Sequence, residues 1–251
     1  MRGFLLGLFL MPLTLYADKP LSYNVGENLF FNIYFEGFKV GSANIHNVKK
    51  VEIDSTPTYH IVAKGQTSRF FDLFFKVRDV YETYLDIKHV LPVRFLRDIH
   101  EGGYEKKQVY RFKHADSIVL VQDTSYSIFS NSQDMLSALF YARSLSKDSL
   151  QQAGLLTIPI FMDEENFFLE IVYLNNEIVK TDFGLVNCMV FKPRMQEGRV
   201  FRDGEKMKVW MSDDKNRLPI KIETQIWAGT IRALLVNYKE LKKPVSIIKQ
   251  N

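Results

Sequence analysis

The feature that most restricts this chain is a long succession of short apolar stretches separated by only a few turn residues. "NLFFNIYF", "YHIVAKG", "FKVRDVYETYLDI", "VLPVRFLRDI", "KKQVYRFKH", "SIVLVQ", "FFLEIVYL", "VNCMVFKP", "KMKVWMS", "RLPIKIETQIW" and "TIRALLVNY" are rich in β-branched and aromatic residues, which suit a pleated, half-buried surface. Parallel strands need crossovers of about a dozen residues or more, so connections this short predict an antiparallel meander. One stretch departs from the pattern. In "SNSQDMLSALFYARSLSKDSLQQAG", residues Met135, Leu136, Leu139, Phe140 and Arg143 recur at helical spacing behind a cap from Ser132 or Asn131. The fold class expected is mainly β: an antiparallel curved sheet or half-open β-barrel with one amphipathic helix, about 133–145, packed against it.

Composition does not shift across that helix, so residues 18–240 are expected to form a single β-rich domain. Residues 241–251 are expected to be a loosely attached basic tail. Ahead of the domain, "MRGFLLGLFLMPLTLYADKP" has Arg2 as a short positive region, an apolar run from Gly3 to Leu15, and the small residue Ala17 before Asp18. That is the pattern of a secretory signal peptide over residues 1–17. The run falls short of the about 20 apolar residues needed to cross a bilayer and is interrupted by Pro12. No second apolar span follows, so no transmembrane span is expected after cleavage. The chain has one cysteine, Cys188, which lies far from the cleavage point and cannot serve as a lipoprotein anchor there. A single cysteine also excludes an internal disulfide, and its place in "LVNCMVF" marks a buried, inert thiol. The expected location is periplasmic or secreted, with an oxidising bacterial periplasm fitting well.

The charge balance is weak. With 33 Lys and Arg against 29 Asp and Glu, the net charge is +4, and the basic residues are scattered, which argues against nucleic acid as a partner. His46, His60, His89, His100 and His114 are dispersed without metal-ligand spacing, and no phosphate-binding glycine loop occurs. The three Ser-x-x-Lys matches lack the companion motifs of an acylating serine hydrolase. No metal or cofactor is called for, and no catalytic residue is assigned.

Sorting the residues of one hairpin by parity is more informative. In "FKVRDVYETYLDI" the set Phe75, Val77, Asp79, Tyr81, Thr83, Leu85 and Ile87 is apolar except for Asp79. In "VLPVRFLRDIHEG" the corresponding set is Leu91, Val93, Phe95, Arg97, Ile99 and Glu101. Asp79, Arg97 and Glu101 are therefore expected to point inward. Pairing about the intervening turn places Arg97 opposite Asp79 or Tyr81, so an Asp79 and Arg97 ion pair is expected, with Glu101 offering a second carboxylate. A β-bulge at "EGGY" would reverse the direction of Glu101. Unpaired, such charges would cost several kcal/mol. The cluster is either structural or a polar patch in an apolar cavity; in the second case Asp79, Tyr81, Arg97 and Glu101 are the candidate ligand-binding residues, with Arg97 holding an anionic head group.

Four stretches together, "FFDLFFKVRDVYETYLD", "LPVRFLRDIHEGGY", "DMLSALFYARSL" and "VWMSDDKNRLPIKIETQIWAGTIRALLVNY", resemble the exported bacterial proteins grouped as domain of unknown function 3108. The resemblance runs from about Tyr23 to Tyr238 and implies export and a β-rich domain, with no activity or catalytic residues to carry over. The hairpin around "VWMSDDKNRLPIKIE" is also similar to one in periplasmic lipoprotein carriers, whose half-open barrels enclose acyl chains.

Aromatic residues make up 14% of the chain, with 20 Phe and 12 Tyr, and doublets such as Phe30-Phe31, Phe70-Phe71 and Phe74-Phe75 put rings on both faces of their strands. One of those faces needs cover: the helix, a second sheet, a ligand or a partner. The function expected is that of an exported cell-envelope protein that binds a lipophilic or amphipathic ligand without catalysis. The alternative is a structural or adaptor protein that holds another envelope protein through an exposed aromatic surface.

Overall fold

The computed structural model describes residues 21–152, 155–195 and 207–249. The signal peptide expected over residues 1–17 lies outside them. The first meander comprises β1 (Asn28–Phe35), β2 (Phe38–Ile53), β3 (Thr56–Thr67), β4 (Arg78–Asp86), β5 (Pro92–Glu101), β6 (Tyr104–Lys113), β7 (Ile118–Val121) and β8 (Thr124–Ser127). Helices α1 (Met135–Ser144) and α2 (Lys147–Gln152) follow. The second meander comprises β9 (Leu155–Met162), β10 (Glu165–Thr181), β11 (Gly184–Met195), β12 (Lys208–Ser212), β13 (Pro219–Ile226) and β14 (Gly229–Lys239), with a short β15 (Ile247–Ile248) beyond it.

Each strand within a meander pairs antiparallel with the next. The two meanders join through β1 and β14, giving one sheet in the order β8-β7-β6-β5-β4-β3-β2-β1-β14-β13-β12-β11-β10-β9. An extra residue shifts the register on β2 (Val40 and Val48), β5 (Val93), β10 (Leu174), β13 (Ile220) and β14 (Val236). Bulges of this kind bend strands and add twist, which curls the sheet over its apolar face. The expected antiparallel, half-open architecture is what is found.

The sheet does not close. Across the open seam, the end of β8 and the residues after it reach β10 through side chains rather than a ladder: Asn166 Nδ2 donates to the Ser127 carbonyl at 2.7 Å, the Phe129 N–H donates to Asn166 Oδ1 at 3.3 Å, and the Phe129 and Phe168 rings stack at 4.6 Å. The free edge of β9 is covered by Gln133, whose N–H donates to Pro159 O at 2.8 Å and whose carbonyl accepts from Phe161 N at 3.0 Å. Covering an edge in this way removes a template for aggregation.

Helix α1 lies against the concave face. Leu136 and Phe140 enter a core with Tyr23, Tyr59, Ile61, Phe95, Tyr110 and Phe161, while Ala138 and Ala142 pack on Ile158, Ile160 and Met162 of β9. A second core, including Leu29, Phe31, Cys188, Trp210, Ile220 and Leu235, fills the curl of the other meander. The cap of α1 is Asp134 rather than Ser132 or Asn131. Its carboxylate accepts from the Leu136 and Ser137 N–H groups at 2.8 and 2.7 Å, while the Ser132 hydroxyl is spent on the Phe129 carbonyl in the preceding turn. No described helix is long and apolar enough to cross a membrane.

The segment expected to hang loosely after residue 240 is held along its described length. Val245 is buried in the second core, Ile247 and Ile248 pair with β11, and Asn216 Nδ2 donates to the carbonyl of Lys243 at 2.9 Å. The apolar residues within this basic stretch supply the grip.

Candidate functional site

Three neighbouring strands, β4, β5 and β6, turn a row of polar side chains inward. Register places Tyr81 directly across from Arg97, and Arg97 across from Gln108. Asp79, Arg97 and Gln108 are buried, whereas Tyr81 and Glu101 are half-buried. The β5–β6 turn is Gly102-Gly103, with φ of +56° and +97°, the two-residue geometry whose twist matches antiparallel strands. Glu101 pairs with Tyr104 in register, so no bulge intervenes there and Glu101 keeps its inward parity.

The hydrogen bonds of Arg97 differ from the expected pairing. Its Nε donates to Gln108 Oε1 at 2.6 Å, and its Nη2 donates to Gln108 and to Asp163. Asp163, in the β9–β10 turn, also accepts from Lys106 Nζ at 2.6 Å, and its N–H donates to the Tyr110 hydroxyl at 3.1 Å. Burial tends to raise the Asp163 carboxyl, but the hydrogen bonds from Arg97 and Lys106 outweigh it and hold the group below its usual range. The reason is geometric. Arg97 leans across the sheet towards β6, where the β9–β10 turn arrives from the far side of the open seam.

Asp79 sits two residues along β4 from Tyr81, and its partners are different. Its Oδ1 accepts the His100 N–H at 3.0 Å, and its carboxylate shares a hydrogen bond with Glu101. Burial, the neighbouring Asp79 charge and that hydrogen bond push the Glu101 carboxyl up. Tyr81 is pushed up to about 12, first by burial and then by the charges of Asp79 and Glu101. The four predicted residues thus lie in one region but split into an Arg97 cluster, satisfied internally, and an Asp79 and Glu101 acid pair beside the Tyr81 phenol. A guanidinium already bonded to Gln108 and Asp163 is a poor receptor for an anionic head group. The acid pair and the phenol are suited instead to hydroxyl or amine groups.

Beside the acid pair the inner face carries small side chains. Ala63 faces Tyr81 and Gly65 faces Asp79, and Ala43 continues the row on β2, with Ala233 on β14 facing Ile33 of β1 through the neighbouring strands. All are half-buried, Ala63 at the margin of the first core and Ala43 and Ala233 at the margin of the second. A Cβ added at Gly65 would meet nothing within 4 Å. By contrast, a cavity of about 280 Å³ on the opposite face is polar, lined by Tyr34, Glu36, Glu223, Gln225 and Arg232 among others, and touches none of the predicted residues.

Gln108, Lys106, Tyr110 and Asp163 were not singled out from sequence. Gln108 had a readable signal, because it shares parity with Tyr110 and Phe112 in "QVYRF" and so is a polar residue on an apolar face. Asp163 had none, since its approach depends on how the whole sheet curls.

Among solved structures, the chain is similar to a β-barrel-like protein of domain of unknown function DUF1849 from Brucella abortus, with 9% identity, 85% of this chain and 97% of that chain covered, and a TM-score of 0.53. A proposed lipoprotein from Parabacteroides distasonis shares 10% identity over 87% of this chain and 97% of that one, at a TM-score of 0.36. A proposed exported protein with a YmcC-like fold from Bacteroides fragilis shares 11% identity over 88% and 98%, at 0.34. The first of these likenesses supports the β-barrel-like fold and nothing beyond it. No curated protein matches the chain. The family model for DUF3108, described as a protein of unknown function, matches residues 31–236, and the chain belongs to that family.

Proposed function

We propose that this is an exported cell-envelope protein that binds a lipophilic or amphipathic molecule along the concave face of its half-open barrel, without catalysis. The observation that carries this reading is the lane of small inward residues, Ala43, Ala63 and Gly65, running past the Asp79 and Glu101 acid pair and Tyr81. Apolar walls with a few convergent polar groups are the usual makeup of a small-molecule site. Small side chains leave room for a ligand tail, and the acid pair offers hydrogen bonds to its polar end. The leader-like residues 1–17 support export to the periplasm.

Native mass spectrometry of the purified protein, before and after organic extraction, tests the reading. Gly65→Leu is the informative variant, because its side chain enters open space and should fill the lane without disturbing the fold. A stoichiometric adduct on the parent protein that Gly65→Leu lacks is the expected result. An adduct-free parent, or an adduct indifferent to Gly65→Leu, would overturn it.

A second reading, attachment to another envelope component through an exposed aromatic surface, is favoured by Phe70, Leu73, Phe74 and Trp227, which stand in solvent.

A further inference from the structure

Antiparallel topology sends every odd-to-even hairpin turn of the first meander to one end of the sheet, and the β13–β14 turn to that same end. Three of these turns are neighbours in the sheet: β3–β4, β1–β2 and β13–β14. They are also stitched together, since Ser68 N donates to the Val40 carbonyl at 2.9 Å and Glu36 N donates to the Thr230 carbonyl at 3.0 Å. On this rim stand Phe38, Phe70, Leu73, Phe74, Phe75 and Trp227, with Leu73 81%, Phe74 74% and Trp227 94% exposed. At strand spacings of about 4.8 Å, the six strands concerned carry these groups across about 25 Å. At the other end the turns Asp54-Ser55, Lys88-His89 and the segment around Asp116 carry no exposed phenyl or indole ring, and Phe183 of the β10–β11 turn is half-buried.

The longest of the three turns is built to hold its rings outward. Asp72 accepts from the Thr67 hydroxyl at 2.6 Å and from Arg78 Nη1 and Nη2 at 3.0 and 2.6 Å, and Val77 N donates to Thr67 Oγ1 at 2.9 Å. These bonds fix the polar side of "RFFDLFFK" to the sheet, leaving Phe70, Leu73 and Phe74 no interior to enter. Gly102 lies directly under the Phe75 ring.

Charge identifies what meets this rim. Its carboxylates are engaged internally: Asp72 by Arg78 and Thr67, Glu36 by the Thr230 N–H. Lys39, Arg69 and Lys76 are exposed and form no ion pair among the described residues. Rings and an indole at separate turn tips, flanked by exposed cations, match the boundary between lipid head groups and acyl chains, and the recess between the β1–β2 and β13–β14 turns beside Glu36 is polar rather than an apolar groove.

We infer that this rim docks on an anionic lipid bilayer, with Leu73, Phe74 and Trp227 entering the acyl boundary and Arg69, Lys76 and Lys39 meeting lipid phosphates. The inference rests on the second reading above and supplies its occupant; it does not require a ligand in the barrel. It also sets the mouth of the concave face against the membrane.

The test is flotation of the purified protein with vesicles of phosphatidylcholine alone and of phosphatidylcholine with phosphatidylglycerol, read together with tryptophan emission. Trp210 is buried and Trp227 exposed, so insertion reports on Trp227, and Trp227→Phe is the optical control. Binding that prefers the anionic vesicles, a blue shift, and quenching by brominated acyl chains are expected. The double variant Leu73→Ser/Phe74→Ser should lose at least ten-fold in vesicle affinity with an unchanged circular dichroism spectrum. Arg69→Gln/Lys76→Gln should lose the preference for anionic lipid and the salt dependence. All variants share the same N-terminal residues, so the differences read the rim alone. A protein that ignores both vesicles, or binds them equally well as Leu73→Ser/Phe74→Ser, overturns the inference. If such a protein is instead crosslinked to a single envelope protein from a photoreactive group at position 74, the lipid inference falls while the aromatic-surface reading stands.

Discussion

At the scale of single residues, two buried charges set the terms of stability. Arg143 is fully buried and bidentate to Glu27 at 2.6 and 2.9 Å, donates to the Asn216 carbonyl, and lies 5.2 Å from the ring centres of both Tyr23 and Phe140. Arg143→Met would strand the Glu27 carboxylate, and a loss of about 3–5 kcal/mol in urea unfolding is expected. Adding Glu27→Gln should recover much of it, because no charge is then left unpaired. Asp134 behaves differently. Burial raises its carboxyl to about 6, despite hydrogen bonds from Ser137, Thr83 and Leu136. Its folded value therefore exceeds its unfolded one, so the folded state holds the proton more tightly. The stabilisation is complete below about pH 4 and is lost as pH rises through 6. The shift corresponds to about 3 kcal/mol. Asn is an equally good cap, so Asp134→Asn should gain on the parent by that order between pH 4 and pH 7, measured as the change in their unfolding free-energy difference.

At the scale of elements, parity reasoning was sufficient to turn Asp79 and Arg97 inward, because one strand residue in two must face the core wherever a sheet is covered on one side. The helix was legible from its spacing, and its stripe already contained Arg143. What parity cannot supply is a partner from a distant element. Glu27 lies 116 residues from Arg143, and Asp163 lies 66 from Arg97. Both depend on the curvature of the finished sheet. Hairpin turns are more local and more readable. Gly102 adopts φ +56° in a turn that demands it, and a side chain there would meet the Phe75 ring. Gly102→Ala should cost about 1–2 kcal/mol, most of it from the backbone, since even a residue free of contacts is strained in this region. Combining it with Phe75→Ala should return only the smaller, steric share, which thermal unfolding of the two variants would resolve.

At the scale of the molecule, the join between the meanders has a consequence for how the protein is made. Asn28 pairs with Lys239, so the first strand of the sheet must wait for nearly the last before its second edge is satisfied. Pairings this distant in sequence slow folding, because loop closure precedes the contacts that reward it. Read from β9 onward through β14, then β1 to β8, every neighbour in the long sheet would follow its predecessor directly. A circular permutant that opens the chain ahead of Leu155 and links the region after β14 to the start of β1 would keep the same sheet while shortening the long β1–β14 separation, at the cost of moving β9 away in sequence from its smaller contacts with Gln133 and α1. It should refold faster than the parent in stopped-flow mixing, at similar equilibrium stability. During synthesis the natural order presents the opposite situation: the first meander emerges with the Leu29 and Phe31 side of β1 uncovered, and the interval until β14 arrives is when the nascent protein is most exposed to capture by chaperones or by its own neighbours.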